Sequence, residues 1–168
     1  AASAGISFTD PVILISDTVL NTVAGGGDIT FGVLSTIDGL NNVSLIAGTG
    51  DISLQAAVGG FTPVNALTVY SGANITLSAV TASSLRQVSG TGTTTMGGFV
   101  KTTGNSGVVL VGNIFNINAS IETLGRGPVM FQNRGKVILS SGAIITAGGL
   151  FTQNGTAAVA LSGDASSR

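Results

Sequence analysis

The sequence predicts an all-β fold, a parallel β-helix (β-solenoid) of about seven coils, on three observations. The first is a 23-residue echo: Ile6, Ile29, Ile52 and Ile75 are evenly spaced, and Phe8, Phe31, Leu54 and Leu77 keep the same step. A fixed period in the twenties, carried by a short β-rich unit, marks a solenoid in which each repeat is one coil. The second is poor helix evidence, because 26 Gly residues and many Thr, Val and Ile interrupt any 3.6-residue apolar stripe. The third is the recurrence of short apolar or alternating runs between glycine corners such as Gly25-Gly26-Gly27, Gly48-Thr49-Gly50 and Gly148-Gly149.

Taken in order, strands are expected over 12–15, 19–23, 29–34, 43–46, 52–58, 67–70, 75–80, 108–111, 114–117, 129–131, 137–139 and 158–161. Each repeat should hold two main strands, as in 42–46, the corner 47–50, and 51–54. Stacking equivalent strands about 4.8 Å apart would give ladders of like residues and a rod of roughly 35 Å. The echo loses register after Ile75, since position 98 is Gly98, and resumes at Ile114 and Val137. Segment 83–105 holds Arg86, Gln87, Thr93-Thr94-Thr95 and Lys101 without a copy of the Gly-Asx-Ile pattern. It reads as an irregular coil or an excursion from the rod, within a single solenoid domain spanning 1–168. A β-sandwich subunit with a donated strand is the rival fold, because short strands and glycine turns alone do not separate the two.

Composition narrows the function. Charged residues are 8% of the chain, against about 25% in ordinary soluble domains. They are scattered singly, which leaves no basic patch for nucleic acid or anionic lipid. Hydrophobic residues reach 43% and mean hydropathy is +0.57, yet no apolar run approaches the roughly 20 residues of a membrane-spanning helix. With no Trp and Tyr70 the only Tyr, the aromatic girdles of a transmembrane barrel are missing. Cys and His are absent, so disulfides, thiolate or imidazole metal sites and cysteine nucleophiles are unavailable. A cysteine-free β chain rich in Gly, Ser, Thr and Asn suits an extracellular setting, and a start at Ala1 reads as a mature or excised segment.

Several phrases carry a resemblance: Gly27-Asp28-Ile29-Thr30-Phe31, Ala47-Gly48-Thr49-Gly50-Asp51-Ile52-Ser53-Leu54, Gly59-Gly60-Phe61-Thr62-Pro63, Gly90-Thr91-Gly92-Thr93 and Phe151-Thr152-Gln153-Asn154-Gly155. They are similar to those of very large, repeat-rich bacterial surface proteins of the filamentous-haemagglutinin-like adhesin type. The resemblance covers most of the chain and specifies architecture more than activity. It implies secretion, a parallel β-helix, and a role in adhesion or surface structure. On this reading the chain is one superrepeat of a giant polypeptide or a separate polymerising subunit.

Candidate sites are few. Asp28 and Asp51 occupy equivalent positions on successive coils, so they either flank a cation such as calcium or cap their own turns by accepting backbone N–H bonds. Glu122, Arg126, Arg134 and Lys136 are close enough in sequence to meet on neighbouring coils, as a salt-bridge cluster or a polysaccharide-active cleft. Asn42, Asn74, Asn118 and Asn154 each begin an Asn-X-Ser/Thr triplet, the glycosylation acceptor pattern. No catalytic residue and no cofactor are expected. The chain shows no polar cap at either end: Ile6, Phe8, Val12, Ile13, Leu14 and Ile15 open it, and Val159 and Leu161 nearly close it. These residues are the expected assembly interface, by which copies or adjacent repeats join head to tail at the cell surface or in an extracellular fibre. Two other functions remain open: a module that binds a glycan or host receptor through 83–105, and a polysaccharide-active β-helix enzyme.

Overall fold

The protein is described by a computed structural model, which covers residues 4–157, 159–161 and 163–167. The chain winds through seven coils and begins an eighth. The first holds β1 (Ile6–Phe8), β2 (Val12–Ile13) and β3 (Thr18–Asn21); the second β4 (Ile29–Phe31), β5 (Ile37–Asp38) and β6 (Val43–Ile46). The third has β7 (Ile52–Leu54) and β8 (Val64–Ser71), and the fourth β9 (Ile75–Leu77) and β10 (Val80–Gln87). The fifth comprises β11 (Thr93–Met96), β12 (Val100–Thr102) and β13 (Val108–Gly112); the sixth β14 (Ile114–Ile117), β15 (Ile121–Thr123) and β16 (Val129–Asn133). The seventh comprises β17 (Val137–Leu139), β18 (Ile144–Ala147) and β19 (Phe151–Gln153), followed by β20 (Val159–Leu161) and β21 (Asp164–Ser167).

All the strand pairs among the described residues are parallel, which rules out the rival sandwich and establishes the β-solenoid. Each coil has three sides rather than the expected two. The extra side carries β2, β5, the bridge residue Val58, the start of β10, then β12, β15, β18 and β21. Its segments in the first three coils are only one or two residues long, too short to show a period-2 alternation.

The core is built of columns. Along the first side the inward positions run Ile6, Ile29, Ile52, Ile75, Thr94, Phe115, Val137 and Val159. Beside them run Phe8, Phe31, Leu54, Leu77, Met96, Ile117 and Leu139. Side chains alternate across the strand, so the intervening Ser7, Thr30, Ser53 and Thr76 face outward. Backbone bonds tie each coil to the next, as from Ile6 N–H to the Asp28 carbonyl at 2.8 Å and from Ile52 N–H to the Asn74 carbonyl at 2.8 Å.

Segment 83–105 is a coil of the rod and not an excursion. It supplies the end of β10, then β11 and β12, all paired on both sides. Two features hid it: Thr94 follows Ile75 in its column after only 19 residues, and the inward residue is polar. Thr94 is 2% exposed and its hydroxyl donates to Gln87 Oε1 at 2.9 Å. Gln87, itself buried, donates through Nε2 to the Val111 carbonyl at 3.1 Å. A buried polar pair satisfied in this way replaces an apolar rung without the cost of an orphaned donor or acceptor.

At one corner the backbone dictates the residue. Gly59 has φ +70°, and a Cβ there would run into the Thr81 carbonyl of the next coil. Only glycine fits both conditions.

Candidate functional site

The two ends of the rod are the surfaces on which the predicted assembly residues are tested. In the first coil Ile6, Phe8, Val12 and Leu20 are half-buried. Their column partners one coil inward, Ile29, Phe31, Ile37 and Leu45, are 0–2% exposed. Phe8 stacks on Phe31 with ring centroids 4.6 Å apart, and its other face has no corresponding neighbour among the described residues. At the far end Val159 is 38% exposed, and Phe151 packs edge-on against Phe131 at 6.1 Å while remaining partly accessible. The side chain of Leu161 lies outside the described residues, although its backbone pairs with Leu139. Within the described residues, no polar segment covers the outer strands β1, β20 or β21.

Not every expected interface residue faces an end. Leu14 is buried at 5%, so it belongs to the core. Ile13 and Ile15 are 74% and 91% exposed on the flank, not in the axial column, because they alternate with the inward Val12 and Leu14. Ile13 lines a groove with Pro11, Leu34 and Phe61, over which Asp38 lies buried and accepts the Phe61 and Thr62 N–H bonds at 2.8 and 2.9 Å. Leu20 and Phe151, on the third side, are end residues that sequence reading missed. The in-register relation of Leu20 to Leu45 is 25 residues and that of Phe151 to Val129 is 22, both outside the 23-residue step.

Two corners carry side-chain ladders. At the corner entering the first side, Asp28 Oδ1 accepts the Asp51 N–H at 2.8 Å, and Asp51 Oδ1 accepts the Asn74 N–H at 2.8 Å and Nδ2 at 3.1 Å. Asn74 Oδ1 in turn accepts the Thr93 N–H at 3.1 Å. Each side chain thus caps the next coil rather than its own turn, which is how two stacked carboxylates are accommodated: each faces a donor. At the corner entering the third side, the Asp17 carboxylate accepts Asn42 N–H at 2.9 Å and Nδ2 at 2.8 Å, and Asn42 Oδ1 accepts Asn65 Nδ2 at 2.8 Å. The backbone and side-chain bonds from Asn42 hold the Asp17 carboxyl below its ordinary value of 3.8. No group of three or more metal-ligating side chains occurs among the described residues.

The remaining candidates are dispersed. Glu122 lies on the second side, where Lys101 of the coil below reaches it at 3.5 Å. Arg126 sits at the corner after that side, and Arg134 and Lys136 at the corner before the first side, so the four do not converge on a cleft. The sequence spacing misled because a coil of this size turns through two corners between residues 122 and 136. Among the glycosylation triplets, Asn42 and Asn74 commit their amide nitrogens to the ladders. Asn118 is exposed and accepts the Ser140 hydroxyl at 2.8 Å, and Asn154 is exposed directly after β19. No helix is long and apolar enough to cross a membrane among the described residues.

Comparison of the chain with protein-family models, with curated proteins and with solved structures finds no match.

Proposed function

We propose that the chain is a structural unit of an extracellular fibre or long surface adhesin, joined head to tail through the open ends of its solenoid. The observation that carries this is the contrast within single columns: Ile6 and Phe8 are half-buried where Ile29 and Phe31 are sealed. A parallel β end presents unpaired backbone donors and acceptors beside apolar side chains, a template that another strand of the same pattern completes. Low charge and β-branched content favour such stacking. The resemblance to filamentous-haemagglutinin-like surface proteins supports an extracellular place for it. The alternative, a glycan- or receptor-binding module using 83–105, would have to act through the exposed side chains of a regular coil, such as Arg86, Phe99 and Asn105.

Sedimentation velocity over a concentration series tests the proposal. An open-ended series of oligomers that grows with concentration is expected. A single monomeric species at every concentration would overturn it.

A further inference from the structure

Because each coil pairs with the next in sequence, position along the chain is position along the rod axis. That turns a sequence asymmetry into a spatial one. Residues 1–85 hold five acids and no base, whereas residues 86–168 hold six bases and two acids. Asp10, Asp17, Asp28 and Asp51 are exposed on the first three coils, and Arg126, Arg134 and Lys136 are exposed on the sixth and seventh. Between them Lys101 and Glu122 neutralise each other at 3.5 Å.

The opposite charges also share corners. Lys136 lies where Asp28 and Asp51 lie, directly before a first-side strand: its carbonyl accepts the Phe115 N–H as that of Asp51 accepts the Ile29 N–H. Arg126 is at the corner of Asp17, and its N–H is received by Asn105 as that of Asn42 is by Asp17.

We infer that the rod is an axial charge dipole, and that copies join in one polarity only, the acidic first coil of one on the basic last coils of the next. This rests on the head-to-tail reading above and specifies its partner as a second copy in parallel orientation. In that join β1 continues from β20 and β2 from β21, placing Ile6 over Val159 and Ser7 over Ala160; on the third side β19 is the outermost described strand, so β3 faces it across a strand-wide gap. Lys136 then lies three coil spacings, about 14 Å, from Asp28 of the next copy, against four spacings, about 19 Å, from Asp51 within its own. The internal distance exceeds two Debye lengths at physiological salt, where that length is about 8 Å, so internal attraction is largely screened. The shorter one, reduced further by the lysine stem, is where attraction acts. Asp164 is the one described acid on the last coil, and in this register it comes over Pro11, beside Asp10 of the next copy, so the join carries one like-charge approach that the bases of the sixth and seventh coils must outweigh. End-to-end contact of two acidic or two basic ends meets repulsion.

The chain has no cysteine, so single introduced thiols report the join. Ser7→Cys and Ala160→Cys are outward positions that the parallel join brings to neighbouring-strand distance, within disulfide reach. Mixed under mild oxidation, the two variants should give mainly the Ser7→Cys with Ala160→Cys heterodimer. The association rate of the unaltered chain should fall roughly tenfold from about 0.02 to about 0.5 M salt. An Arg134→Glu/Lys136→Glu double variant, its fold checked by circular dichroism, should associate slowly at low salt and faster as salt rises. Fibres whose rate ignores both salt and the double variant, or homodimers of each thiol variant in preference to the heterodimer, would overturn the polarity while leaving assembly standing. Absence of association under every condition would overturn both.

Discussion

Truncating one column residue at two heights separates an open end from a closed one. Ile52 is 1% exposed, with Ile29 and Ile75 above and below it in the same column. Ile52→Ala deletes three carbons at about 0.8 kcal/mol each, and a rigid cavity between two rungs adds to this, for a total of about 3–4 kcal/mol. Ile6 occupies the same column but has a neighbour on one side only. Ile6→Ala opens no enclosed cavity and removes a half-solvated side chain, so its cost in the monomer is about 1 kcal/mol. Urea unfolding followed by far-UV circular dichroism reads the difference. With a slope of about 2 kcal/mol per molar, the midpoint should fall by about 1.5–2 M for Ile52→Ala and by about 0.5 M for Ile6→Ala. Association should reverse the ranking, since burying Ile6 is what a join accomplishes: Ile6→Ala should raise the concentration at which oligomers appear by about tenfold. Equal midpoint losses in the monomer would mean the first coil is already covered, and the open-end argument would fail.

Three further outcomes follow from the rungs and corners. Gly59→Ala combines a positive φ with a clash against the Thr81 carbonyl and should lower thermal stability by about 2–4 kcal/mol; an unchanged melting temperature would refute the corner geometry. Thr94→Val leaves Gln87 Oε1 buried without its donor and should cost about 1–3 kcal/mol, with Gln87→Leu in the same chain recovering much of it; strictly additive losses would show the pair is not coupled. Asp17 has its folded pKa depressed by Asn42, so the unfolded chain takes up the proton first as pH falls. Its contribution is therefore present above the ordinary value of 3.8 and lost as pH drops through the lower folded value. The stability gap between the parent and Asp17→Ala should narrow between about pH 6 and pH 2, and a gap that is constant or widens would contradict the Asn42 contacts.

How much was legible in the sequence depended on whether a rung repeated its chemistry at constant length. Ile6, Ile29, Ile52 and Ile75 announced the first side because four successive rungs kept both residue type and step. The fifth rung failed on both counts, since Thr94 is polar and the coil is shortened, and its compensation by Gln87 is visible only once the two side chains are seen to meet. The second side was hidden by its brevity in the early coils, where β2 and β5 are two residues each and Val58 alone marks the third coil. Asp28 and Asp51 were correctly placed in one column, yet sequence spacing does not reveal that the donor each faces comes from the following coil. The segregation of acids and bases was in plain view, but it acquires meaning only when chain order becomes axial order. A scan for local charge clusters passes over it.

Electron microscopy of the purified chain in near-physiological buffer, with diffraction along any filament, tests the central claim most directly. The account predicts filaments whose axis runs perpendicular to the strands, with a reflection near 4.8 Å along that axis that continues through the joins. Dispersed rods about 35 Å long that never join would contradict it, as would filaments whose strands run along the fibre axis.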